Sequence, residues 1–509
     1  MQSRVFNAKR NIVWGIVEKI VTLFLPFFTR TLIIKVLGEE YLGLGSLFSS
    51  VIQVLNLTEL GFGSAMVFHM YKYVADQDTD GMCAILNFYR SIYRMMGGLI
   101  LTCGLIILPF IPKIIAGTVP QDINVYYLYL IYLFTTVSSY WLFAYKNSVL
   151  YASQRTDIQS NINTIVQIVV SVLQIIGLVI TKNYYFYAYW ILLSVIIKNI
   201  ITSIIVDKYY PQYVCKGEIT KETKQSIYKK LRALLGHKLG GVVLSAADNI
   251  VISAFLGLTI VARYNNYFYL NTAVVGMLTI VYNAITAGVG NSIAKESIEK
   301  NYNDFKKFSF LNVWIVGWCA ICFACLYQPF ISIWIGEQYL MTTGTMLLFV
   351  VYFAVNQLRK IVLMYKDSAG LWEADALKPY VETAFNLVLN IILVQYMGVN
   401  GVLISSILAM TVIDIPWEIW ALFHTYFVGK RKIEYWIFLF KYVILFLGIG
   451  TLTYYVSLFG DFNGLLRVIV IALECLIIPN CLVIALLNRS QLFKDSVTFM
   501  KRVVLSKKR

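Results

Sequence analysis

Charge is scarce in this chain. Only 14% of its 509 residues are Asp, Glu, Lys or Arg, against about 25% in an ordinary soluble domain, and 59% are hydrophobic. Such a balance excludes a soluble globular enzyme and defines an integral membrane protein. Other absences narrow the function. No Gly-x4-Gly-Lys-Ser/Thr phosphate loop is present, so nothing signals ATP hydrolysis. The loops between apolar runs on the outer side are short and lack the clustered carboxylates that a membrane glycosyltransferase or polymerase needs. The chain therefore reads as a non-enzyme with no cofactor. Histidine is nearly absent: His69 and His424 fall at the inner edges of apolar runs and His237 in a basic loop, none with metal-ligand spacing. Of the eight cysteines, Cys319, Cys322 and Cys325 are spaced like ligands, yet they sit inside an apolar helix without His or carboxylate nearby and read as soft packing residues.

What is present is a succession of apolar runs. About fourteen are long enough to cross some 30 Å of hydrocarbon. The first, from residue 11 to 36, follows Arg4, Lys9 and Arg10 and could pass for a signal peptide, but its length, internal charges and lack of a small-residue cleavage site mark an uncleaved first span. The net charge of +16 does not point to nucleic acid, because the basic residues cluster in alternate loops. Eight Lys/Arg lie between Lys208 and Lys238 and seven in the tail from Arg489 to Arg509, whereas outer segments hold only Lys35, Lys113, Lys182, Arg263 and Arg467. The positive-inside rule then predicts both termini on the cytoplasmic side. Tyrosine-rich starts at Tyr126-Tyr127-Leu128-Tyr129 and Tyr184-Tyr185-Phe186-Tyr187 suit the outer interface, where amphipathic rings prefer to sit.

The chain also repeats itself. Val36-Leu37-Gly38 through Gly43 is matched 219 residues later by Phe255-Leu256-Gly257-Leu258-Thr259-Ile260-Val261-Ala262, sharing Leu-Gly, three residues, an aliphatic and a small residue. Six spans separate the copies, so both halves enter the membrane in the same direction, a layout found in transporters. The predicted organisation is an N-terminal lobe at 1–206, a basic cytoplasmic linker at 207–238, a C-terminal lobe at 239–424, two further spans at 425–487 and a basic tail at 488–509.

The combination of a basic start, Pro26-Phe27-Phe28-Thr29-Arg30, Leu37-Gly38, Tyr41-Leu42-Gly43, Glu59-Leu60-Gly61-Phe62-Gly63 and, in the second half, Ala247-Asp248-Asn249-Ile250 resembles the bacterial polysaccharide repeat-unit flippases (Wzx-type) of the multidrug/oligosaccharidyl-lipid/polysaccharide exporter superfamily. The resemblance implies an all-α fold of about fourteen helices in two six-helix lobes plus two C-terminal helices. It implies alternating access, a polyprenyl-diphosphate-linked oligosaccharide as cargo, membrane lipid around it, a glycan polymerase complex as a candidate partner, and a bacterial cytoplasmic membrane as location. A cation-coupled multidrug exporter, a flippase for the peptidoglycan lipid precursor and a non-transporting scaffold are the alternatives.

Moving a diphosphate through hydrocarbon needs cations that replace its water. Arg90 and Arg94, four apart on the third span, share a helical face, and Arg94 lies on the order of 15 Å deep, too far to snorkel easily. Lys19 and Arg30 are buried candidates on the first span, with Glu18 beside Lys19 and Glu59 within reach of it. Arg30 precedes the outer turn at a depth close to that of Asp248 and Asn249, its counterparts in the repeat, and a cross-lobe Arg30–Asp248 contact is expected at the outer gate. Asp414 and Glu418 flank Pro416, four apart on one face at an expected kink. They either bind a coupling proton or sodium ion or form a solvated inner helix end.

Overall fold

The computed structural model describes residues 2–56, 62–459 and 462–505; side chains at 2–9, 62, 64–65, 229–245, 284, 287 and 500–505 lie outside the description. Among the described residues the protein is all-helical, without a strand. The helices run α1 (Gln2–Val36), α2 (Glu39–Leu55), α3 (Phe62–Ala75), α4 (Thr79–Ile107), α5 (Val125–Trp141), α6 (Asn147–Ala152), α7 (Thr156–Thr181) and α8 (Tyr184–Tyr209). They continue as α9 (Lys221–Leu256), α10 (Leu258–Lys295), α11 (Ile298–Trp334), α12 (Thr343–Leu358), α13 (Lys360–Ser368), α14 (Lys378–Met397), α15 (Val399–Leu408), α16 (Ile415–Thr425), α17 (Lys432–Ser457), α18 (Gly464–Leu487) and α19 (Gln491–Leu505).

Eleven of the described helical stretches are long and apolar enough to span a membrane, twelve if the bent pair α5–α6 counts as one. All twelve coincide with apolar runs expected from the sequence. The other two runs, 42–68 and 239–257, fall partly on residues outside the description, at 57–61 and at the side chains of 229–245, and lie within α2–α3 and α9. Large apolar side chains such as Ile106, Ile180, Ile444 and Leu465 face outward, as they must in a protein solvated by lipid.

The repeated Leu-Gly turn is real local structure. Gly38 (φ 125°) joins α1 to α2 and Gly257 (φ 89°) joins α9 to α10, both in backbone conformations that side chains disfavour. α2 closes on the second turn: a Cβ on Gly43 would fall 2.2 Å from the Leu258 carbonyl oxygen, so only glycine allows this approach.

By compactness the chain divides into residues 1–262 and 263–509. In the first unit α1 lies along α7, α2 against α9, and α5 between α4 and α8. The two tyrosine-rich helix starts come together. Asn124 caps α5 by accepting from the Tyr127 amide at 3.1 Å, Asn183 caps α8 through the Tyr185 amide at 2.8 Å, and the Tyr127 and Tyr185 rings lie 5.4 Å apart. The second unit is built around α11. One side of it carries a cluster of Tyr302, Phe305, Tyr365, Phe423, Phe427 and Tyr435, and on the other its own Phe310 and Ile321 pack with Phe446 of α17, Cys475 of α18 and Phe493 of α19. Cys325 and Cys475 are buried in this second core as free thiols, and the described residues contain no group of three potential metal ligands.

Candidate functional site

The first unit breaks its own helix at membrane depth. The sequence Ser139-Tyr140-Trp141-Leu142-Phe143-Ala144 contains neither proline nor glycine, yet α5 ends at Trp141, Phe143 takes a left-handed φ of 58°, and the chain resumes at 50° to its former course. Left-handed backbone at an aromatic residue is strained, and irregular backbone at this depth persists only where protein buries it or a wet cavity adjoins it. Here a cavity adjoins the break, and the segment just past it is anchored in the protein. Lys146, buried just past the break, donates to Ser203 at 2.8 Å and pairs with Asp207, tying the broken segment to α8. On the other side opens a cavity of about 760 Å³. Its walls include Gly63, Phe68 and Tyr71 of α3, Tyr89 and Tyr93 of α4, Ser139, Tyr140, Ala144, Asn147, Ser148 and Tyr151 around the break, and Asn199 of α8.

Beside the tyrosine face of α4 runs the guanidinium stripe. Arg90 donates to Asn87 Oδ1 at 2.7 Å, while the Arg94 side chain is exposed and its carbonyl accepts from Trp141 Nε1 at 3.1 Å. The structure thus brings Arg90 and Arg94 together next to the cavity, without making either one of its lining residues.

The remaining sequence candidates in this unit are dispersed. Lys19 is exposed, and Glu18 accepts from Asn163 Nδ2 at 2.8 Å rather than from a lysine on its own helix. Arg30 is half-buried on α1, Asp248 is buried on α9, and Asn249 donates to Ser50 at 2.8 Å. Glu59 lies outside the described residues.

The second unit holds a charge network that the sequence reading only half found. A π-helical turn, Ala409–Asp414, precedes Pro416 and takes the place of a simple kink, widening the helix where proline removes an amide donor. Asp414 and Glu418 are both fully buried, so the solvated helix end is not realised. Arg359, at the junction of α12 and α13, donates from Nε to Glu418 at 3.1 Å and from its two terminal nitrogens to Asp414 and Glu418. Lys378, at the start of α14, pairs with Glu418 and stands 3.4 Å from Asp414. Glu382, one turn further along α14, faces Asp414. Close by, the buried Lys366 pairs with Asp375. The sequence analysis singled out Asp414 and Glu418 but none of Arg359, Lys366 and Lys378, the cations paired with buried carboxylates here.

An all-helical, multi-span bundle with a broken helix beside a cavity is an architecture of membrane transporters. No family model matches the sequence, and no curated protein matches it. Solved structures do match its fold. One is an inward-facing multidrug resistance MATE family transporter of the MOP superfamily, with a TM-score of 0.62, 16% identity and coverage of 80% of this chain and 94% of that one. Another is the lipid II flippase MurJ in an inward closed conformation, with a TM-score of 0.63, 14% identity and coverage of 94% and 99%. A third is a MOP superfamily transporter from Pyrococcus furiosus, described by a reversed polarity of its binding pocket, at 0.54, 14%, 82% and 95%. The fold of this chain is that of MOP superfamily transporters.

Proposed function

We propose that the protein is a flippase that carries a polyprenyl-diphosphate-linked oligosaccharide, an O-antigen, capsule or exopolysaccharide repeat unit, across the bacterial cytoplasmic membrane by alternating access. The observation that carries this reading is the Arg90–Arg94 stripe. Two guanidiniums four residues apart on one face of a membrane helix, on the same helix as the cavity-lining Tyr89 and Tyr93, suit an anionic diphosphate joined to a glycan. A fold shared with a lipid II flippase supports a lipid-linked cargo. Among the described residues the cavity lining carries tyrosine, serine and asparagine and no carboxylate, which favours a neutral glycan over organic cations. An ion gradient or the membrane potential resets the carrier; moving one charge through 100 mV is worth about 2.3 kcal/mol.

The test is transport by the purified chain alone in proteoliposomes. A fluorescent polyprenyl-diphosphate oligosaccharide should exchange between leaflets and a cationic dye should not accumulate; dye transport without flipping contradicts the proposal. Activity of the chain alone also sets aside the scaffold reading.

Arg30 and Asp248 are assigned to the outer gate in the same reading, paired in one state of the cycle. Arg30→Asp and Asp248→Arg should each slow flipping, and the double exchange should restore part of the rate. A double variant no faster than either single one removes the pairing.

A further inference from the structure

The connection between α8 and α9, residues 210–220, is not a loose tether. The Tyr210 and Tyr213 rings stack 5.8 Å apart, Gly217 turns the chain at a left-handed φ of 79°, and Thr220 caps α9 by accepting from the Thr223 amide at 3.2 Å. The segment so shaped is fastened to the first turns of α4. Cys83 Sγ donates to the Gln212 carbonyl at 3.4 Å, Asn87 Nδ2 donates to the Gly217 carbonyl at 2.9 Å, and Lys216 stands 3.9 Å from Asp80. Just beyond, Tyr228 and Lys224 of α9 both meet the Phe88 ring, at 6.5 and 5.6 Å, and Ile227 is fully buried. The Lys216–Asp80 pair is exposed and contributes little, so the hydrogen bonds and the packing around Phe88 hold the segment. Asp80, Cys83, Asn87, Arg90 and Arg94 recur at three- and four-residue steps and therefore lie on one face of α4. The connection is thus docked on the continuation of the arginine face. Asn87 is where the two meet: its Nδ2 holds the Gly217 carbonyl, and its Oδ1 accepts from Arg90 Nη2 at 2.7 Å.

We infer that Asn87 is a positioning residue for the phosphate-binding arginines: it ties Arg90 to the α8–α9 connection, so that the guanidinium is held ready for a diphosphate while the connection is docked and is released when the connection lifts. The inference rests on the flippase reading and adds control of its anion site by a segment outside that site. An arginine loses rotamer freedom when it grips an anion, and a partner that already fixes Nη2 removes part of that cost beforehand. The amide suits both of its tasks. Its oxygen accepts from the guanidinium while its nitrogen donates to a carbonyl, which an ionised carboxylate could not do. Being neutral, it also orients the guanidinium without cancelling the charge that an anion needs. α9 starts at Lys221, just past Gly217, and carries Asn249 bonded to Ser50 further along. A shift of α9 is therefore felt at Arg90 through Gly217 and Asn87.

The test is binding of inorganic pyrophosphate to the full chain in lipid nanodiscs, read together with the rate at which N-ethylmaleimide alkylates Cys215. This half-buried thiol lies between the two anchored carbonyls of the connection and is resolved from the other cysteines by peptide mass. Linkage is reciprocal, so an anion that prefers the docked form must also hold the connection down, and saturating pyrophosphate should slow Cys215 alkylation about fivefold in the wild type. Asn87→Ala should weaken pyrophosphate binding about tenfold, the scale of one hydrogen bond to a charged group, and its alkylation should not respond to saturating pyrophosphate. Arg90→Ala leaves Gly217 on Asn87, so alkylation without the anion should match the wild type, while the slowing by pyrophosphate still bound to Arg94 should be lost. This second variant keeps the inference falsifiable should Asn87→Ala fail to fold. Pyrophosphate that binds the wild type without slowing alkylation, or that binds a folded Asn87→Ala as tightly as the wild type, overturns the positioning role and leaves the flippase reading standing. Slowing that persists in Arg90→Ala does the same. Failure of pyrophosphate to bind the wild type overturns the flippase reading, and this inference with it.

Discussion

Arg359→Met is expected to destabilise the second unit by about 3–5 kcal/mol, the usual cost of removing one partner from a buried ion pair. Asp414 and Glu418 have no exposed surface, and Arg359 reaches both of them from another helix. Without it the two carboxylates, with Glu382 beside them, would retain Lys378 as their direct cationic contact. Water cannot repair the loss at so buried a site. In detergent the melting temperature should fall by roughly 10 °C. Adding Glu418→Gln should recover part of this, because a buried pair removed together costs far less than half a pair removed alone. A single variant that melts with the wild type would show that the network does not hold α12, α14 and α16 together.

The second large effect concerns transport. Arg94→Ala should slow flipping of a polyprenyl-diphosphate oligosaccharide by about 10- to 100-fold, since a hydrogen bond to a charged group is worth roughly 1.5–3 kcal/mol. Arg94→Lys should recover only part, because an ammonium keeps the charge but loses the planar fork that grips a phosphate. Thermal stability should hardly change, as the side chain is exposed. This separation distinguishes Arg94 from Arg359. One guanidinium faces outward beside a cavity and the other is locked among buried carboxylates.

How much of this was legible beforehand follows from the range of each signal. Apolar runs of membrane length and the Leu-Gly turn are local patterns, and both appear where the chain places them, with Gly38 and Gly257 in matching positive-φ turns. Arg90 and Arg94 were legible because a charge deep in an apolar helix is conspicuous by itself. Asp414 and Glu418 were legible as a pair at helical spacing, but their cations were not. Arg359 stands 55 and 59 residues from its two partners, and at the inner end of a span it looks like any topology-setting charge. The break at Phe143 had no local signal at all. Nothing in Tyr140-Trp141-Leu142-Phe143 disfavours a helix strongly, so the bend is imposed by packing, through Lys146 on Ser203 and Asp207 and through Trp141 on Arg94. The cavity tyrosines were hidden for a related reason. In a chain with 36 tyrosines, ring spacing alone does not separate a cavity wall from a core.

The central claim is that this fold moves a diphosphate-linked glycan using the guanidiniums of α4. The most direct measurement is the leaflet exchange rate of a fluorescent polyprenyl-diphosphate oligosaccharide in proteoliposomes, wild type against Arg94→Ala. Rapid exchange by the wild type that collapses in the variant is the predicted result. No exchange by the wild type across several glycans, with a cationic dye transported instead, would contradict it.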